Sequence, residues 1–141
     1  MVESFKLKMF TLEKVAFEGR IVSLVAPGAD GYFGVLAHHA PLVAALKSGK
    51  LTTKDESGSE TVYAVSGGFL EASSNSVVVL ADAIERAGEI DIERAEAARE
   101  RAARRIDSDL PGIDTLRAQA AFSRALNRIK IHRSQTTDYT G

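Results

Sequence analysis

Arginine is divided along this chain in a way that a single mixed core does not produce. Residues 1–83 hold six of the seven lysines but one arginine, Arg20. Residues 84–141 hold ten of the eleven arginines and one lysine, Lys130. The first part also carries eight of eleven glycines and five of six phenylalanines, whereas the second is rich in Ala, Arg and Glu. Such a shift marks a boundary between two differently built parts, placed near Ala83–Glu89 with Gly88 as the punctuation. At 141 residues the chain suits one globular unit, or one small domain plus an appendage.

The first part reads as β structure. Ser4–Phe10 alternates, with Phe5, Leu7 and Met9 on one face. Phe17–Val25 is β-branched in short runs and ends at Pro27-Gly28; Thr61–Val65 and Ser76–Leu80 are further strands. Gly49, Asp55–Ser59, Gly67-Gly68 and Ser73–Asn75 supply turns at the spacing of a sandwich or barrel. About eight to ten short strands fit. The second part reads as two helices. Asp91 caps a run that reaches Ile106, Pro111 breaks the pattern, and Asp114 caps a second helix to about Ile131. A short break between helices predicts an antiparallel hairpin. The alanines at 95, 98, 102, 118, 121 and 125 allow close approach but bury little area, so the hairpin is expected to be only conditionally stable.

Composition narrows the function classes. Without cysteine there are no disulfides, thiolate metal sites or Cys nucleophiles. No Trp and 6% aromatic residues leave little for base stacking, and a net charge of −1 gives no overall attraction to nucleic acid or anionic lipid. No apolar run is long enough to span a bilayer, and Met1–Phe10 lacks a signal-peptide core. His38-His39 lacks a nearby carboxylate at ligand spacing and a nucleophile to activate, so it reads as a surface loop with a contact role. Glycines 28, 31 and 34 lack the Gly-Lys-Ser/Thr of a phosphate loop and read as turn glycines. No catalytic constellation emerges.

The arginines are the exception. Arg94, Arg101 and Arg105 are spaced i, i+7, i+11, and Arg117, Arg124 and Arg128 repeat that spacing. At 100° per residue each trio occupies a stripe about 40° wide. Two readings stand at this point. One is a solvated face with Glu–Arg pairs such as Glu100/Arg104. The other is two stripes turned toward one polyphosphate, whose oxygens match guanidinium forks. A nucleic-acid hairpin is disfavoured by Glu93, Glu96 and Glu100 on the same helix.

Four stretches in order carry a resemblance: Gly28-Ala29-Asp30-Gly31-Tyr32-Phe33-Gly34-Val35, His39-Ala40-Pro41-Leu42, Ser66-Gly67-Gly68-Phe69-Leu70-Glu71 and Val79-Leu80-Ala81-Asp82, followed by the Ala/Arg-rich hairpin. In this order the chain resembles the epsilon subunits of F-type ATP synthases over nearly its full length. The resemblance implies an α+β protein: an N-terminal antiparallel β-sandwich of about ten strands (1–84), a linker (85–89), a regulatory C-terminal antiparallel two-helix hairpin (90–133) and a flexible tail (134–141). It implies a non-catalytic central-stalk subunit that couples the gamma subunit to the c ring. The c-ring contact would use the loop Asp30–Leu42, with Asp30, Gly31, His38 and His39. The helices would extend along gamma toward the beta and alpha subunits and inhibit ATP hydrolysis. Ile90-Asp91-Ile92-Glu93-Arg94-Ala95 further resembles the motif of family members that bind ATP as a regulatory ligand. Those members' contacts match Glu85, Ile90, Asp91, Arg94, Arg101, Arg124 and Arg128. No metal is expected as a required cofactor, and neither a nucleic-acid partner nor membrane insertion is implied. The expected location is the cytoplasmic face of a bacterial membrane. A purely structural coupling subunit without nucleotide sensing is the alternative.

Overall fold

The computed structural model describes residues 2–108 and 114–137. It divides into two compact units, Met1–Arg86 and Ala87–Gly141.

The first unit contains eight strands: β1 (Phe5–Phe10), β2 (Val15–Ile21), β3 (Ser23–Gly28), β4 (Gly31–Leu36), β5 (Leu42–Leu46), β6 (Gly49–Lys54), β7 (Glu60–Ser73) and β8 (Ser76–Arg86). One hydrogen-bonded path runs β2-β1-β8-β7-β5-β3-β4, and β6 bridges β3 and β7. Alternation sets the layers. Phe5, Leu7 and Met9 are buried while Lys6 and Lys8 face water, as period-two patterning requires. All pairings are antiparallel except β1–β8, which is parallel.

Two long strands close the sandwich. The first half of β7 pairs with β6 and its second half with β5, while β8 follows it throughout. The buried positions change parity along the way, from Tyr63 and Val65 to Leu70 and Ala72 on β7, and from Val77 and Val79 to Ile84 on β8. The change falls at Gly67 and Gly68, whose φ values are 65° and 120°. A Cβ at Gly68 would collide with the Leu80 carbonyl oxygen, so only glycine lets the strands bend this tightly. The bend turns one continuous ribbon into both layers around Leu24, Leu51, Leu70, Val79 and their neighbours.

Here the structure departs from the sequence reading. Eight strands form among the described residues, within the eight to ten read from the residues and fewer than the about ten the resemblance implied. Gly67-Gly68 is a bend inside β7 rather than a turn between two strands, and Gly49 starts β6. The Ser73–Asn75 turn does form. Ser74 and Asn75 have φ of 51° and 58°, the doubly positive geometry of a two-residue hairpin loop.

The second unit holds a 3-10 turn (Ala87–Glu89) and the helices α1 (Ile92–Ile106) and α2 (Thr115–Thr137). Asp91 caps α1, its carboxylate accepting from the Arg94 backbone N–H at 3.1 Å. Asp114 accepts in the same way from the Arg117 N–H at 3.0 Å. The expected tail 134–141 is helical through Thr137, and its remainder lies outside the described residues. Pro111 lies outside them too.

Replacing Gly68 with alanine forces both a collision and a left-handed backbone. We expect a loss of about 2 kcal/mol or more in the stability of the β unit, read by denaturant unfolding. Gly58→Ala, in open space at an exposed loop, costs less despite its positive φ.

Candidate functional site: the arginine flank of the helical hairpin

The burial pattern of the two helices fixes where their arginines point. Along α1 the inward positions are Ile92, Ala95, Arg99, Ala102 and Ile106; along α2 they are Ala118, Phe122, Ala125, Ile129 and His132, and Ile131, just before His132, is buried as well. Both sets step by three and four, the seam spacing of paired helices. Arg133, near the described end of α2, lies 3.7 Å from Glu96 in the second turn of α1, so the pair runs antiparallel. Four alanines, Ala95, Ala102, Ala118 and Ala125, are fully buried in this seam.

Each of the six stripe arginines is the residue immediately before a seam position: Arg94, Arg101 and Arg105 on α1, and Arg117, Arg124 and Arg128 on α2. Each is therefore rotated about 100° from the seam in the same sense. In an antiparallel pair, equal rotations bring the two stripes to the same side. Asp91, just before Ile92, joins that flank. The residues after the seam positions line the other flank. On α1 these are Glu93, Glu96, Glu100, Ala103 and Asp107; on α2 they include Lys130 and Arg133. The hairpin thus has one flank basic on both helices and another where acid faces base.

On the mixed flank, Glu100 accepts from Arg104 at 2.8 Å, and this bond, with the Arg104 and Arg99 charges, holds the Glu100 carboxyl below its usual range. On the arginine flank, Arg94, Arg101, Arg105, Arg117 and Arg124 are exposed and Arg128 is half-buried. Such a row of guanidiniums is suited to a polyanion.

The other expected contacts divide. Ile90 is buried ahead of the cap, its N–H donating to the Ala87 carbonyl oxygen at 3.4 Å. Glu85 belongs to β8 of the first unit, half-buried and paired in register with Ala64. The expected single loop Asp30–Leu42 is not one loop, because it contains β4. Asp30 and Gly31 sit at the β3–β4 turn. His38 and His39 sit beyond the far end of β4, about 20 Å away at the rise of an extended strand. His38 takes a left-handed φ of 62°. Its backbone N–H donates to Asn75 Oδ1 at 2.8 Å, and its Nε2 lies 3.2 Å from Glu3 Oε2. Asn75 also donates from Nδ2 to the Ser4 carbonyl oxygen at 3.1 Å, so one side chain ties the His38 corner to the start of the chain. Among the described residues no group of three or more His, Cys, Asp or Glu is arranged to hold a metal ion.

A surface the sequence reading missed lies across the outer face of the sheet. The register aligns Val15, Phe10, Leu80, Phe69 and Ala45 in one row. The neighbouring row is mixed, with Glu71 between Val43 and Val78 and Lys8 and Glu18 beyond. Phe69 is 60% exposed and Val43 72% exposed. The apolar row through Phe69, bordered by these charges, marks an interaction surface. Its signal was the unbroken run Val77-Val78-Val79-Leu80, apolar at outward as well as inward positions.

Two family models match the chain in tandem: the ATP synthase delta/epsilon chain β-sandwich domain over residues 4–87, and the delta/epsilon chain long α-helix domain over residues 89–132. The chain belongs to the ATP synthase delta/epsilon family. Its relatives place it with the bacterial epsilon subunits. The ATP synthase epsilon chain of Moorella thermoacetica is 47% identical over 127 residues, covering 90% of this chain and 95% of that one. The epsilon chain of Desulforamulus reducens is 49% identical over 130 residues, covering 92% and 98%. A chain in the mitochondrial ATP synthase of Euglena gracilis shares the fold at 22% identity, with a TM-score of 0.76 over 88% of this chain and 78% of that one. A chain from the central stalk and c-ring structure of the Tetrahymena thermophila enzyme gives a TM-score of 0.54 at 14% identity, over 95% and 97%.

The Asp91 cap is the cheapest point at which to loosen the flank. Asp91→Ala removes the acceptor for the Arg94 N–H and is expected to cost the helical unit about 1 kcal/mol, while Asp91→Asn keeps most of it. Thermal unfolding followed at a helical signal checks both.

Proposed function

We propose that this subunit couples gamma to the c ring in the central stalk, and that its helical hairpin is a nucleotide-gated inhibitor of ATP hydrolysis. The observation that carries the reading is the convergence of both arginine stripes on one flank of an alanine-seamed hairpin. Six like charges on one flank oppose closure, and an alanine seam contributes little burial to offset them. A bound triphosphate would reverse the first term. Arg94, Arg101, Arg124 and Arg128 would hold its oxygens, with Asp91 and Ile90 toward the base. A ligand that binds only the closed hairpin stabilises it by RT ln(1 + [L]/Kd), about 2.7 kcal/mol at a hundredfold excess over Kd.

When nucleotide is scarce the hairpin would open. Extended as continuous helix, Asp91–Arg133 would reach roughly 60 Å, far enough to leave the stalk for the catalytic head. There the arginines freed of phosphate would meet acidic surface of the beta and alpha subunits, and inhibition would weaken with salt. The subunit itself would contribute no catalytic group. The exposed apolar row through Phe69 supports a protein partner for the sandwich, here gamma. Asp30-Gly31 and His38-His39 would meet the ring as two separate contacts. No helix among the described residues is long and apolar enough to cross a membrane. Attachment at the cytoplasmic face would therefore come through the partners.

Calorimetric titration of the full chain with ATP tests the gating. One-site binding is expected, weakened at least tenfold by Arg124→Ala, the scale of one lost charge-assisted bond. Absence of heat at millimolar ATP would remove the sensor and leave a structural coupling subunit.

A further inference from the structure

The arginine flank explains what opposes closure of the hairpin; the opposite flank holds what favours it. On α1, Glu93, Glu96 and Glu100 follow seam positions one after another, and on α2 Lys130 and Arg133 do the same. Glu100 is committed within its own helix, to Arg104 at 2.8 Å. Glu96 instead reaches across, with Oε1 lying 3.7 Å from an Arg133 guanidinium nitrogen. That contact joins the second turn of α1 to the far part of α2, so it closes the open end of the hairpin, away from the connection between the helices. Arg99, at the seam between Glu96 and Glu100, lines the same acidic groove.

We propose that the Glu96–Arg133 pair is a latch that sets how often the hairpin is closed before any ligand binds. It acts from the flank opposite the arginine stripes. An exposed ion pair changes an equilibrium only about two- to fivefold. In a well-packed bundle that change would be lost within a large margin. Here four of the ten seam residues are alanines and the exposed Arg94, Arg101, Arg105, Arg117 and Arg124 crowd the other flank, so the closed and open populations would stand close enough for a severalfold change to matter. The latch and the ligand then act on one equilibrium from two sides. The latch fixes the closed fraction of the free chain, and that fraction scales the apparent affinity for anything that binds the closed form. Only the second, ligand-dependent half of this inference rests on the proposed ATP binding.

The test is a charge-reversal cycle in the full chain: Glu96→Arg, Arg133→Glu and the two together. Glu and Arg have similar helix propensities, and effects confined to one helix cancel in the cycle. The first readout is amide exchange at Ala95, Ala102, Ala125 and Ile129 without ligand. Each single reversal is expected to speed exchange two- to fivefold, and the double reversal to return it near the wild-type rate. The second readout is ATP titration, in which the singles weaken apparent affinity by the same factor and the double recovers it. Unchanged exchange in both singles, or a double equal to the product of the two singles, overturns the latch. Rescue of exchange in a chain that binds no ATP keeps the latch and removes the nucleotide reading. ATP binding without exchange rescue does the reverse.

Discussion

The helical unit depends on packing through alanine. Ala95, Ala102, Ala118 and Ala125 let two backbones approach closely, but a buried methyl contributes a small fraction of what leucine would at about 25 cal/mol per Å2. A seam of small residues makes the charges at its margins count in the pairing of the helices. The sequence places those charges with a simple rule. A residue before the seam is arginine six times, and a residue after the seam on α1 is mostly acidic. Because the helices run antiparallel, the rule gathers all six arginines on one side and sets acid against base on the other. A leucine-seamed hairpin with the same surface would close regardless of what bound to it.

The β unit is built on the opposite principle. Tyr63, Phe5, Leu7, Met9, Leu24, Leu51 and Leu70 are almost wholly buried, and the bend at Gly67-Gly68 wraps one ribbon around them. Such a core gives a fixed platform, and its specific surface features are held locally. Asn75 pins the left-handed His38 corner. The β6–β7 loop is pinned in the same manner. Asp55 Oδ1 accepts from the Ser57 hydroxyl at 2.6 Å and from the Ser57 and Ser59 N–H groups. These bonds, the Ser57 hydroxyl foremost, hold the Asp55 carboxyl below its usual range. A depressed folded-state pKa means that this contribution is present above the ordinary carboxylate range and fades as pH falls through the lowered value.

Much of this was legible in the residues. The two-part division followed from where the arginines fall, and the caps Asp91 and Asp114 from residue type before a periodic run. The helical spacing also defined the stripes. The antiparallel direction was expected from the short break between the helices; what spacing left open was whether the two stripes share a flank, which depends on the seam that the burial pattern reveals. Gly67-Gly68 was expected as a turn between strands because a pair of glycines looks the same at a turn and at a mid-strand bend. The loop Asp30–Leu42 was misjudged because Gly31 and Gly34 suggest turns, whereas Tyr32, Phe33, Val35 and Leu36 carry enough β propensity to form an edge strand between them. The exposed row through Phe69 was hidden by reading apolar strands as core alone.

The central claim is that the helical hairpin is a conditionally closed element beside an unconditionally folded one. Differential scanning calorimetry of the full chain, with and without ATP, tests it most directly. The account predicts two transitions, the lower one belonging to the helices and moving upward by several degrees with ligand while the upper one stays in place. A single cooperative transition, or two that ignore ATP, would contradict it.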